Sequence, residues 1–249
     1  PTVAPRAIFV SAFDTNPLAP DFELALKGEE ANFQTGLDAL AKIAKTYLSI
    51  SVNQKAVALT QAKNVTLTVF DGPHPAGNVG VQINNIAPIN KGETVWTIDP
   101  QAVIFIGRLF NTGHVDLTRL VAVTGSEVKK PSYCKLKVGA LLTNVFAGNV
   151  STDKNLRYIS GNVLTGKQIT ANGFLGAFHS QVTVIPEGDD VHEMLGWIMP
   201  RFDQFSTSHS YFSWLMGKKE YTLDARVKGG ERHMIMSNEY DRVLPMDIM

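Results

Sequence analysis

Gly72-Pro73-His74-Pro75-Ala76-Gly77-Asn78-Val79-Gly80 directly follows the strand-like run Val65-Thr66-Leu67-Thr68-Val69-Phe70 and opens a helix-like one. Strand, glycine-rich loop and helix in that order is the layout of a nucleotide-binding turn. The chemistry of the loop departs from that use. It contains no G-x-G-x-x-G, and Pro73 and Pro75 bring no backbone N–H. A phosphate cradle aims successive backbone N–H groups at an anion, and this loop lacks two of them. The expectation is a nucleotide-type α/β domain whose cradle has lost donors.

The flanking sequence fits such a domain. Ala7-Ile8-Phe9-Val10 reads as a short buried strand, followed by the polar, proline-rich loop Asp14-Thr15-Asn16-Pro17-Leu18-Ala19-Pro20-Asp21. Phe33, Leu37, Leu40, Ala44 and Tyr47 recur at helical spacing and predict an amphipathic helix over 29–46. Ser49–Val52 and Val65–Phe70 read as strands, and Asn78–Ile86 as a helix that stops before Pro88. Asp99 is a good N-cap and Pro100 a good first helical residue; Val103, Ile106 and Phe110 form one face, and Gly113 is a natural stop. Strands alternating with helices from residue 5 to 117 imply a mostly parallel sheet with helices packed on it.

The period changes near residue 118, and a domain boundary is expected between His114 and Arg119. Leu120–Gly125 reads as a strand running into a turn. Cys134, Leu136 and Val138 alternate with lysines, so one face of that strand is expected to be buried, Cys134 with it. A short helix over Ala140–Phe146 and strands over Tyr158–Leu164 and Phe178–Ile185 complete a small α+β unit. From Trp197 onward the chain is rich in aromatics, with a helix expected near 210–217.

Composition excludes several classes. The 23 Lys+Arg balance the 23 Asp+Glu, which leaves no basic footprint for nucleic acid. No apolar run approaches the roughly 20 residues that cross a bilayer. The six histidines never pair at metal-ligand spacing, and the single Cys134 cannot hold an iron–sulfur cluster. His192-Glu193 begins like a zinc-protease motif, but Gly196 stands where the second histidine belongs.

The loops and their flanks resemble the A-subunit of the bacterial Na+-translocating NADH:quinone oxidoreductases. The stretches that carry this are Asp14-Thr15-Asn16-Pro17-Leu18-Ala19, Gly72-Pro73-His74-Pro75-Ala76-Gly77, Thr94-Val95-Trp96, Ile106-Gly107-Arg108-Leu109-Phe110, Gly196-Trp197-Ile198-Met199-Pro200 and Arg242–Ile248. The resemblance implies a Rossmann-like, mostly parallel domain over 1–117, related to the FMN- and NADH-binding component of complex I. A small SLBB-type β-grasp domain over 118–190 and a segment over 191–249 leading toward a helical domain are implied to follow. Family members carry an N-terminal domain and a C-terminal helical region that this chain is expected to lack. The implied role is that of a peripheral subunit on the cytoplasmic face of the bacterial inner membrane, docked to the complex's membrane subunits. No redox cofactor is implied in this chain; FMN, FAD, riboflavin and iron–sulfur centres are expected in the other subunits.

A quinone or competing inhibitor is the ligand the resemblance implies. Its candidate contacts are Asp14, Asn16, Pro17, Gly72, His74 and Gly77, at the carboxyl ends of the first domain's strands. Each also has a plainer reading. His74 suits a clasp that fixes its turn, Asp14 and Asn16 suit an Asx-turn, and Arg108 suits a partner for a carboxylate. Gly77 is expected to be exposed. A free-standing flavin- or NAD-dependent oxidoreductase domain and a ligand-free scaffold are the competing functional readings.

Overall fold

The computed structural model describes residues 3–151, 153–189, 196–206, 209 and 211–222. The His192-Glu193 and Arg242–Ile248 stretches lie outside them. The chain forms two compact units, one of residues 1–122 and 133–140, the other of residues 123–132 and 141–249.

The first unit opens with β1 (Ala7–Ser11), the helical turn α1 (Phe22–Leu26), α2 (Glu30–Ala41), β2 (Lys45–Ser51) and the turn α3 (Val57–Thr60). It continues with β3 (Thr66–Phe70), α4 (Val79–Ile86), β4 (Val95–Ile98) and α5 (Pro100–Thr112). The first four strands form one parallel sheet in the order β3-β2-β1-β4. β1 is central and buried on both faces, because a strand sends alternate side chains to opposite sides. Ile8 and Val10 join Phe33, Leu37, Leu40 and Val103 beneath α2 and α5. Ala7 and Phe9 join Ile83 beneath α4 on the other face, where Phe9 stacks on Tyr47 with ring centroids 4.9 Å apart. The mostly parallel α/β reading holds.

Individual elements differ from their sequence expectations. The helix expected over 29–46 stops at Ala41, and Tyr47 lies in β2. Ala44 and Tyr47 prolong the helical period by coincidence, since the sheet recruits Lys45–Ser51 as a strand paired with β1. α5 matches its expected ends: Asp99 Oδ1 accepts from the Gln101 backbone N–H, and Gly113 closes the helix at φ 73°. Its buried face is Val103, Ile104 and Gly107, while Phe110 is 66% exposed. The physical reason is the contact of α5 with α2. A Cβ on Gly107 would lie 1.7 Å from the Asn32 carbonyl oxygen, and one on Gly36 would lie 2.2 Å from that of Val103. The two helices meet backbone to backbone, which turns Phe110 out while Ile106 stays packed at the edge of the core.

β5 (Thr118–Thr124) and β6 (Ser132–Lys137) are neighbouring strands. Cys134, Leu136 and Val138 are half-buried rather than core, and the lysines between them are exposed. Burial raises the Cys134 thiol above its usual range, which keeps it protonated and weakly nucleophilic.

The second unit contains α6 (Thr143–Phe146), β7 (Leu156–Ser160), β8 (Lys167–Ile169) and β9 (Gln181–Pro186). β7 pairs antiparallel with both β8 and β9. β7 stops at Ser160, short of Leu164, and β9 begins after the expected Phe178, which is 84% exposed. β8 carries no apolar run and left no signal in the sequence. Every residue of β9 is buried, including Gln181 and Thr183. Those two hydrogen-bond one another, and Thr183 also donates to the Gly161 carbonyl, as buried polar groups must.

Candidate functional site

Two loops meet at the carboxyl end of β1. The first runs from Ala12 into the Asp14–Pro17 stretch. The second is Gly72–Asn78, which follows β3 and enters α4. They are fastened through Thr15. Its hydroxyl accepts the Gly77 backbone N–H at 2.9 Å and lies 3.1 Å from His74 Nδ1. The hydroxyl has one proton and, among the described residues, no other acceptor for it. Nδ1 accepts that proton when His74 is the Nε2–H tautomer.

Behind the clasp, Gln82 of α4 is fully buried. Its amide donates to Ser11 Oγ at 2.8 Å and to the Ala76 carbonyl at 3.2 Å. Ser11 in turn donates to the Phe13 and Gly77 carbonyls. Gln82 sits on the same helix face as Val79, Ile83 and Ile86. A polar residue in that apolar stripe was the available signal for it; Ser11 and Thr15 had none.

The glycine-rich loop folds three of its N–H groups inward. Ala76 N–H goes to the Pro73 carbonyl, Asn78 N–H to that of Pro75, and Gly77 N–H to Thr15. The prolines have none. The loop itself therefore offers a phosphate few backbone donors, while the first N–H groups of α4 carry no side-chain cap.

The remaining candidates fall around this clasp. Asp14 is exposed and its Oδ1 accepts from both the backbone and side-chain N–H groups of Asn16, an Asx-type closure of its own loop. Asn16 Oδ1 and Gln82 Oε1 are buried acceptors without a hydrogen-bond partner among the described residues. Pro17 is half-buried in the same loop, and Gly72 is exposed. Gly77 is buried, against expectation. A Cβ there would lie 2.5 Å from the Thr15 backbone nitrogen, because the two loops pack directly on one another. Side chains at Gly77 therefore strain the clasp rather than probe a ligand.

Arg108 is not at this clasp. It lies on α5, where its guanidinium grips both oxygens of Glu29 and donates to the Thr118 carbonyl at 2.7 Å. Asp116 adds a contact at 3.3 Å. The carboxylate-partner reading is the one the geometry supports. The hydrogen bonds from Arg108 hold the Glu29 carboxyl below its ordinary value of 4.5, against the opposing effect of burial. A depressed carboxylate stabilises the fold above its unfolded pKa, and that contribution is lost as pH falls through the folded value. Glu29→Gln should then lower stability near neutral pH and flatten its loss as pH falls through and below the ordinary carboxylate range. Urea unfolding midpoints across that range check this, and an unchanged slope counts against the linkage.

Among the described residues no group of His, Cys, Asp or Glu could hold a metal ion, and no helix is long and apolar enough to cross a membrane.

A parallel α/β domain with a strand–loop–helix turn packed on the loop after β1, followed by an antiparallel unit, defines an α/β class with a nucleotide-type strand order. Known proteins narrow it. Residues 1–115 match the family model described as the NqrA second alpha/beta domain, and residues 120–171 match the NQRA C-terminal domain of SLBB type. The chain is 38% identical over its whole length to the A-subunit of the Na(+)-translocating NADH-quinone reductase of Yersinia pestis bv. Antiqua. It is 39% identical over 98% of its length to the protein of the same name from Neisseria meningitidis serogroup C. It spans 56% and 55% of those relatives' lengths, so about half of each. This chain belongs to the NqrA family, the A-subunits of the Na+-translocating NADH-quinone reductases. In fold alone it resembles a chain of the NAD+-reducing [NiFe]-hydrogenase in the air-oxidized state, with TM-score 0.50 and 13% identity over 75% of this chain and 41% of that one.

Proposed function

We propose that this chain is part of a peripheral subunit on the cytoplasmic face of a Na+-pumping NADH:quinone oxidoreductase, docked to its membrane subunits. In this reading residues 1–117, 118–190 and 191–249 are its segments. Electron transfer and Na+ transport belong to the assembled complex, whose flavins and iron–sulfur centres reside in other subunits. The chain serves as a scaffold without a tightly bound redox cofactor, and its Asp14–Pro17 and Gly72–Gly77 loops receive a quinone head group or a competing inhibitor.

The observation that carries this reading is the pattern of donors in the clasp. Three of the loop's N–H groups are turned inward and two positions are proline, which disfavours a phosphate. In the Nε2–H tautomer His74 keeps one ring N–H with no protein acceptor among the described residues, which suits a neutral carbonyl.

Two conservative variants separate the clasp from the ligand. His74→Asn keeps an acceptor near the Nδ1 position and removes the Nε2 donor; His74→Gln does the reverse. Titration of a water-soluble short-chain benzoquinone should show about 5-fold weaker binding in His74→Asn with little change in melting temperature. Gly80→Ala is the control, because nothing lies within 4 Å of a Cβ there. Equal affinity in folded His74→Asn removes the loop from the site, and absence of saturable binding leaves the scaffold alone. A near-stoichiometric flavin spectrum in the purified protein overturns the cofactor-free part.

A further inference from the structure

The first unit contains a recess, which shares no residue with the Thr15–His74 clasp. Its volume is about 50 Å³, room for roughly three or four water-sized atoms. Its walls are partly apolar, from Leu24, Ile104, Phe105 and Leu120. Its polar lining is dominated by cations from four different places in the chain: Lys27 at the end of α1, Arg108 on α5, Arg119 on β5 and Lys135 on β6.

The two arginines form a rigid floor. Their guanidinium carbons lie 5.9 Å and 5.4 Å from the Phe105 ring centroid. The Arg119 side chain is 1% exposed and that of Arg108 15%. Three carboxylates face the same cluster. Glu29 and Asp116 pair with Arg108, and Asp99 pairs with Arg119. All three are therefore engaged at the guanidiniums. Lys27 and Lys135 are both exposed. Neither has a carboxylate within ion-pair distance among the described residues. Lys135 is close enough for its charge to help depress Glu29.

The charge is thus unbalanced in a directed way, with the floor compensated and the mouth not. Apolar walls around a positive mouth focus its field on an incoming anion. Donors converging from separate elements suit an anion with several acceptor oxygens at tetrahedral angles. We propose that this recess binds a phosphate group between Lys27 and Lys135, above the Arg108–Arg119 floor. The group is either a small soluble phosphate or the headgroup of an acidic phospholipid.

The test titrates inorganic phosphate into the protein in a chloride buffer of constant ionic strength, followed by ³¹P relaxation and by melting temperature. Saturable binding with Kd on the order of 1 mM is expected. Lys27→Gln combined with Lys135→Gln should weaken it at least about 10-fold, the loss of two charge-assisted contacts. Both side chains are on the surface, so the fold is retained. Lys63→Gln, an exposed lysine outside the recess, should change nothing. A second arm sediments the protein with phosphatidylglycerol or phosphatidylcholine vesicles. Binding to phosphatidylglycerol alone, lost in the double variant, assigns the headgroup. Phosphate saturation without vesicle binding assigns the soluble source. A phosphate response that is absent, or that survives unchanged in the folded double variant, overturns the proposal, as does vesicle binding that persists in that variant.

Discussion

Gly107→Ala is expected to destabilise the protein by about 3 kcal/mol, although alanine is the better helix former. The added Cβ would lie 1.7 Å from the Asn32 carbonyl oxygen and 2.5 Å from its carbon. Neither atom belongs to a flexible side-chain end, so relief requires α2 and α5 to separate. Separation also stretches the hydrogen bonds that tie the helices side by side, from Asn111 to Asn32 at 2.8 Å and from Thr35 to Asn111 at 3.2 Å. Overpacking a tight contact costs about 1–3 kcal/mol and sometimes more, and a backbone clash of this depth belongs above that range, at about 4 kcal/mol. The gain in helix propensity, about 1 kcal/mol, offsets part of it. The melting temperature should fall by roughly 6–12 °C. A fall of less than about 2 °C would show that the helices do not meet backbone to backbone. Gly113→Ala, at the helix end where a Cβ meets nothing, is the comparison: it samples the left-handed strain alone, about 1 kcal/mol.

The second large effect is expected at Asp99. This residue does two things at once. Its Oδ1 caps α5 by accepting from the Gln101 N–H at 2.7 Å, and its Oδ2 lies 3.3 Å from Nη2 of the buried Arg119. Burial pushes the Arg119 guanidinium down from its ordinary range, and Asp99 opposes that push. Asp99→Ala removes the cap, worth about 1 kcal/mol. It also takes the carboxylate from a desolvated cation, a loss of about 3–5 kcal/mol in a fully buried site. Asp99 is 19% exposed on its side chain, so the lower end applies, and the total should be about 4 kcal/mol. Asp99→Asn retains the cap and should lose only the charge part, about 3 kcal/mol. The distinguishing measurement is a double-mutant cycle. In an Arg119→Met background, Asp99→Ala should cost little more than the cap, because no cation remains there to lose its carboxylate. Equal costs in both backgrounds would mean that the Asp99–Arg119 pair does not govern this site.

Both effects arise where the chain folds against itself, and neither position stood out in the linear sequence for the contact it makes. Gly107 read as one more residue within a helix, and the expected face was Val103, Ile106 and Phe110. Helical period does identify a face, but it cannot tell which side a partner helix will approach when a glycine admits the partner's backbone. Tyr47 shows the converse: its spacing fitted a helix, and the parallel pairing with β1 outweighed it. β8 was unreadable because a short edge strand with exposed side chains needs no apolar pattern. The capping roles of Asp99 and Gly113 were legible because capping is local chemistry, decided within two or three residues.

The candidate site divides in the same way. That the loop after β3 is a poor phosphate cradle was readable from Pro73 and Pro75 alone, since a missing N–H is a covalent fact. That Gly77 is buried was not, nor that Thr15 fastens two loops some sixty residues apart, nor that Gln82 supports them from behind. The same holds for the recess at Arg108, whose four cations come from four separate elements. Sequence by itself determined the α/β order, the main helix caps, the loop's loss of donors and the family. Tertiary structure alone decided which glycines are contacts, which carboxylates neutralise which guanidiniums and which cations are left at a mouth. Local covalent chemistry is written in consecutive residues, whereas burial and charge compensation depend on neighbours that only the fold brings together.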